Sequence, residues 1–122
     1  FMDGDYARNE APPPFRQSLF VLATVMSRAV PGVAAVDAGH KAVAVDSGLP
    51  SVWGRPGLRY TSASDEHGTL RIEDGEAPAL GEKLRLVPGH CDPTVDRHGW
   101  YVGVRDGRVE CLWPVAARGA MF

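Results

Sequence analysis

Trp100-Tyr101-Val102-Gly103-Val104-Arg105-Asp106-Gly107-Arg108-Val109-Glu110-Cys111-Leu112-Trp113 is the stretch on which the fold class turns. Two runs rich in β-branched and aromatic residues, Tyr101 to Arg105 and Arg108 to Trp113, flank Asp106-Gly107. A two-residue hairpin loop needs positive φ at its centre, which Asp and Gly tolerate, so the pattern predicts an antiparallel hairpin. Upstream, Lys83-Leu84-Arg85-Leu86-Val87 alternates polar and apolar residues before Pro88-Gly89, and Gly68 to Glu73 reads as a strand leading into Asp74-Gly75. Val52 to Tyr60 is extended but broken by a surface turn at Arg55-Pro56-Gly57, and Ala42 to Val45 is a short strand candidate. Phe15 to Arg28, centred on Leu19-Phe20-Val21-Leu22-Ala23-Thr24-Val25-Met26, predicts a long buried strand that Pro31-Gly32 ends. Val33 to Ala38 is its hairpin partner. Many short strands with frequent turns predict a mainly β chain, an antiparallel barrel or sandwich with little helix.

Composition narrows the functional classes. The 122 residues suffice for one domain. Thirteen Lys and Arg against fifteen Asp and Glu give a net charge of -2, which offers no electrostatic footprint for nucleic acid or an anionic membrane surface. No apolar run approaches the roughly 18 residues of a membrane span, and without a basic n-region, apolar h-region and cleavage site at its start secretion is not expected. Cys91 and Cys111 do not make a disulfide framework, so a reduced, cytoplasmic setting is expected. Fourteen Gly and ten Pro without a period mark turns between strands. No phosphate-cradling Gly loop and no nucleophile elbow is present. Lys83 alternates within a strand and reads as solvent-facing, and Lys41, in Asp37-Ala38-Gly39-His40-Lys41-Ala42, would have to be buried and desolvated to serve as a Schiff-base amine, a role not expected of it.

The densest polar constellation is Pro88-Gly89-His90-Cys91-Asp92-Pro93-Thr94. On an extended backbone side chains at i and i+2 share a face, so His90 and Asp92 are expected to point together and Cys91 the other way. An imidazole and a carboxylate make half of a metal site, suited to a harder ion such as Mn or Mg, whereas a His-Cys pair would favour zinc. The same residues also read as a plain turn in which Asp92 bonds local N–H groups. Ser64-Asp65-Glu66-His67-Gly68 gathers three ionisable groups ahead of a strand, either at the rim of a pocket or on a solvated loop. His40 and His98 read as surface or turn residues, and the three tryptophans as core or interface aromatics.

Taken in order, Asp37-Ala38-Gly39-His40-Lys41-Ala42, Asp46-Ser47-Gly48-Leu49-Pro50, Ser64-Asp65-Glu66-His67-Gly68, Pro88-Gly89-His90-Cys91-Asp92-Pro93-Thr94 and Leu112-Trp113-Pro114-Val115 resemble the C-terminal domain of metal-activated D-threonine aldolases, relatives of the eukaryotic-type D-serine dehydratases. The resemblance implies an alanine-racemase-like enzyme dependent on pyridoxal phosphate (PLP). An N-terminal (β/α) barrel, absent here, would hold the PLP and its lysine. Residues 1–14 would be the linker from that barrel and residues 15–122 the C-terminal β domain, with Pro12-Pro13-Pro14 as an extended connector. Such enzymes pair as homodimers, one subunit's β domain closing its partner's barrel.

His90 and Asp92 match the family's metal ligands, and His67 with Asp65 matches its second active-site-facing segment. The dehydratase branch has Cys at the second ligand position, where this chain has Asp92. The implied reaction is retro-aldol cleavage of a D-β-hydroxy amino acid to glycine and an aldehyde, with PLP drawing electrons from the Cα–Cβ bond. Two other functions are consistent with the chain: a D-serine dehydratase releasing pyruvate and ammonia, and a stand-alone non-catalytic β module for ligand binding or dimerisation. Without the PLP lysine, these 122 residues are expected to be inactive alone and to expose apolar surface where the barrel packs.

Overall fold

The computed structural model describes residues 1–12 and 14–120. Its elements run α1 (Gly4–Ala7), β1 (Val21–Ser27), β2 (Val33–Val36), β3 (Ser51–Val52), β4 (Leu58–Ala63), β5 (Gly68–Ile72), β6 (Lys83–Val87), α2 (Cys91–Val95), β7 (Trp100–Arg105) and β8 (Arg108–Pro114). Six strands form one antiparallel sheet in the order β3-β6-β1-β2-β5-β4, and β7 and β8 form a separate two-stranded ribbon. The outermost strands β3 and β4 lie against each other, so the larger sheet is nearly closed into a barrel. The expectation of a mainly β, antiparallel barrel-like fold with little helix holds.

Alternation places the core. Val21, Ala23 and Val25 of β1, Leu70 of β5 and Leu84 and Leu86 of β6 point inward and are buried. Of the intervening residues of β1, Leu22 and Met26 stay more than half exposed. The long buried strand expected at Phe15 to Arg28 is therefore shorter and one-sided. An antiparallel sheet has a solvated face, and every second apolar residue of the run falls on it. A bulge between Val25 and Ser27 bends β1 where it pairs with β2.

Two further expectations need correction. Ala42 to Val45 forms no strand, although Val43 and Ala44 are buried. Ala42 N–H and Val43 N–H both donate to the Gly39 carbonyl, and Ala44 N–H donates to Thr94 Oγ1, so this backbone is satisfied by a turn and a side chain. The stretch after His90 is a helix, α2, rather than extended chain. Acidic Asp92 and Pro93 sit in its first turn, where a missing proline N–H costs nothing.

The ribbon turns as expected. Asp106 and Gly107 take φ of 49° and 75°, the positive values of a tight two-residue loop. Residues 3–8 also fold onto the barrel: Gly4 N–H and Asp5 N–H donate to the Pro88 and Gly89 carbonyls at 3.0 and 2.8 Å. The connector expected at Pro12-Pro13-Pro14 includes Pro13, which lies outside the described residues. Among the described residues no helix is long and apolar enough to cross a membrane.

Candidate metal centre

The end of β6 delivers Pro88-Gly89 to the N-cap of α2, which is His90 in an extended conformation (φ -141°, ψ 137°). From that corner Cys91 turns into the interior, while Asp92 stands almost wholly in solvent. His90 Nε2 lies 4.0 Å from Asp92 Oδ2. The two groups thus meet although the backbone between them is not the extended stretch that the spacing suggested. Neighbouring ligands of one ion, with bonds of about 2.0–2.2 Å, lie about 3.0–3.5 Å apart, so a small rotation of the exposed Asp92 side chain brings the pair to ligating distance. The donor set, one imidazole nitrogen and one carboxylate oxygen, suits that role. Among the described residues no group of three His, Cys, Asp or Glu side chains converges on a common point.

Two side chains, Thr94 and Asp3, fix this corner. Thr94 Oγ1 donates to the His90 carbonyl at 2.8 Å and accepts from Ala44 N–H at 3.2 Å. Asp3, only 1% exposed, reaches in from the chain's first residues. Its Oδ2 accepts from Cys91 N–H at 2.9 Å and lies 3.2 Å from His90 Nδ1, while Oδ1 accepts from Tyr6 N–H at 2.9 Å. Burial pushes the Asp3 carboxyl up, but the N–H groups of Tyr6 and Cys91, together with His90, more than offset it, and the pKa falls below the ordinary aspartate value. Burial first, and then the nearby Asp3 charge, push the Cys91 thiol up to about 11. Cys91 is a buried packing group, not a thiolate ligand.

Sequence reasoning missed Asp3. Its local signal was present, since an Asp followed by a short helix is a good N-cap. Its partner, 87 positions away, left no such mark.

The second cluster is a different surface. Ser64 Oγ and the backbone N–H of Ser64 both donate to the His67 carbonyl, closing a tight loop between β4 and β5. Residues 39–41 are zipped onto it: Gly39 N–H donates to the Glu66 carbonyl, His40 N–H to that of Ser64 and Lys41 N–H to that of Asp65. Asp65 and His67 are exposed and, with His40 and Glu66, line an open depression. Lys41 Nζ pairs with Glu66 Oε1 at 2.6 Å; the hydrogen bond raises the ammonium and lowers the carboxylate, so both remain charged. No hydrogen bond or ion pair joins Asp65 or His67 side chains to His90 or Asp92 among the described residues. The link is indirect. Arg97 Nε donates to the His40 carbonyl and His98 Nε2 lies 2.7 Å from the Ala42 carbonyl oxygen, tying the end of α2 to the zipped loop.

Comparison with known proteins places the fold in a family. A family model described as "Putative serine dehydratase domain" matches residues 18–104. A 3-hydroxy-D-aspartate aldolase from Paracoccus denitrificans is 53% identical over 98% of this chain and 32% of its own length. A D-threonine aldolase from an Arthrobacter species is also 53% identical, with the same shares covered. The crystal structure of D-threonine aldolase from Filomicrobium marinum superposes with a TM-score of 0.94 at 51% identity, over 100% of this chain and 35% of that one. The chain therefore spans about a third of the length of the relatives it matches.

Proposed function

This chain belongs to the serine dehydratase domain family, and we propose that it is the C-terminal, cation-holding β domain of a PLP-dependent D-threonine aldolase that cleaves D-β-hydroxy amino acids to glycine and an aldehyde. The observation that carries this reading is the 4.0 Å approach of His90 Nε2 to Asp92 Oδ2 at the mouth of α2. His90 and Asp92 would hold one divalent cation, Mn or Mg in preference to zinc, because the pair is nitrogen and oxygen and the neighbouring thiol is buried. Bound there, such a cation supplies Lewis acidity toward a substrate β-hydroxyl. Asp92, exposed, and His90, held from behind, present their donor atoms to solvent and so to a substrate.

The described residues do not fit PLP itself. Lys41 is exposed and paired with Glu66, and the Lys83 ammonium donates to Thr24 Oγ1 on the solvated face. Neither is the desolvated amine that an imine requires; in our reading PLP is held by a preceding (β/α) barrel domain joined through residues 1–14. In our reading His67 and Asp65 form a second catalytic face, supported by their exposure on a depression that the zipped loop holds in shape. Self-association as a homodimer is supported by the apolar ribbon, where Trp100, Val102, Leu112 and Trp113 are all more than half exposed. A cytoplasmic setting agrees with two free cysteines.

The whole gene product, assayed with PLP and Mn, should release glycine from D-threonine; no glycine overturns the aldolase reading. Pyruvate from D-serine would assign it to the dehydratases. His90→Ala and Asp92→Ala should each abolish metal dependence and leave the PLP absorbance in place.

A further inference from the structure

We propose that Asp3 is the positioning residue of the cation site, locking the His90 imidazole with its proton on Nδ1 so that the Nε2 lone pair faces Asp92. This rests on the reading of His90 and Asp92 as cation ligands. Asp3 is buried to 1% exposure, and its carboxylate oxygens can only accept hydrogen bonds. Tyr6 N–H fills Oδ1, and Cys91 N–H approaches Oδ2 at 2.9 Å. The 3.2 Å contact from Oδ2 to His90 Nδ1 is a hydrogen bond only when Nδ1 carries the proton. The neutral imidazole then has its free lone pair on Nε2, the nitrogen 4.0 Å from Asp92. A carboxylate behind a histidine ligand also makes the imidazole more basic and holds its ring plane.

The carboxylate is delivered from the far end of the chain. Gly4 N–H and Asp5 N–H bond to the Pro88 and Gly89 carbonyls, the two residues just before His90, so seating residues 3–5 and orienting the imidazole are one event. The cation site is thereby made of three chain positions, two ligands and one support, of which the support arrives from outside the motif.

The test uses the chain with its four histidines labelled with nitrogen-15, free of metal. Long-range proton–nitrogen spectra should show His90 with Nδ1 protonated and Nε2 bare. Asp3→Asn should mix the two tautomers and weaken Mn²⁺ binding, followed by loss of the free-ion electron paramagnetic resonance signal, about 10- to 100-fold. Asp3→Glu should restore part of the affinity. A His90 protonated on Nε2 in the unaltered chain overturns the proposal whether or not any variant folds. Equal Mn²⁺ affinity and an unchanged tautomer in a folded Asp3→Asn chain overturn it while leaving the ligand reading intact. An unaltered chain that takes up no Mn²⁺, with His90→Ala indistinguishable from it, removes the ligand reading and this proposal together.

Discussion

The six-stranded barrel and the β7–β8 ribbon are written in the same alphabet of Val, Leu and aromatic residues at period two, yet they end in opposite states. In β1 the alternation buries Val21, Ala23 and Val25. In the ribbon the directly paired Val102 and Leu112 share a face with Val104, and all three stay more than half exposed. The difference is the second layer. A nearly closed sheet folds its inner face onto itself, whereas two strands alone have nothing to fold onto. One side of the ribbon, through Trp100, Val102 and Val104, looks across a groove of about 610 Å³ toward Leu19 to Leu22. The same pattern thus marks a core in one place and an exposed apolar surface in the other.

Truncation should separate the two regions most sharply. Leu86→Ala, at 0% exposure, should cost about 2–5 kcal/mol in urea unfolding, whereas Leu112→Ala should change the stability of the chain by about 0.5 kcal/mol or less. Equal costs would mean that the ribbon is packed and would break the contrast.

Added methyl groups should come next. A Cβ at Gly39 would sit 2.3 Å from the Ser64 carbonyl oxygen, a backbone atom, so Gly39→Ala should destabilise by about 1–3 kcal/mol and unzip residues 39–41 from 64–66. A Cβ at Gly103 would meet Cys111 Sγ instead, and that side chain can turn away, so Gly103→Ala in the ribbon should cost clearly less by the same measurement. Tyr60→Phe removes the buried bond from the phenol to the Ala38 carbonyl, 2.7 Å long, and should cost about 1 kcal/mol.

The smallest effects are in titration. Burial pushes Tyr60 up to about 12, and burial with the Asp3 charge pushes Cys91 up to about 11. Both folded values lie above the ordinary ones of 10.0 and 9.0, so their contribution is complete below pH 9 and is lost as pH rises through 11 and then 12. Unfolding midpoints should fall steadily across that window. For Asp3 the sign is reversed: its contribution is present above pH 3.8 and is lost on further acidification. At pH 8 a thiol reagent should modify Cys111 of the ribbon well before the buried Cys91 of α2; simultaneous reaction would contradict the burial that divides them.

Local patterns were readable in the sequence and distant ones were not. The Asp106-Gly107 turn, the alternation of Lys83 to Val87 and the break at Arg55-Pro56-Gly57 each follow from neighbours within a few residues, and each appears where expected. The one-sided burial of β1 could not be read from its own residues, because Leu22 and Val21 differ only in which face the closed sheet makes internal. Ala42 to Val45 failed as a strand because its partner, the Thr94 hydroxyl, lies 50 positions from Ala44. His90 and Asp92 were singled out by spacing and do approach each other, but through a helix N-cap rather than along a strand.

The zipped loops carry a consequence for how such a chain can vary. Because residues 39–41 and 64–66 share three backbone bonds with no room for a methyl at Gly39, neither loop can gain or lose a residue alone without breaking its seam. Lengthening one demands a matching change in the other, so the contour around His40 and His67 can be reshaped by exchanging side chains far more readily than by inserting them.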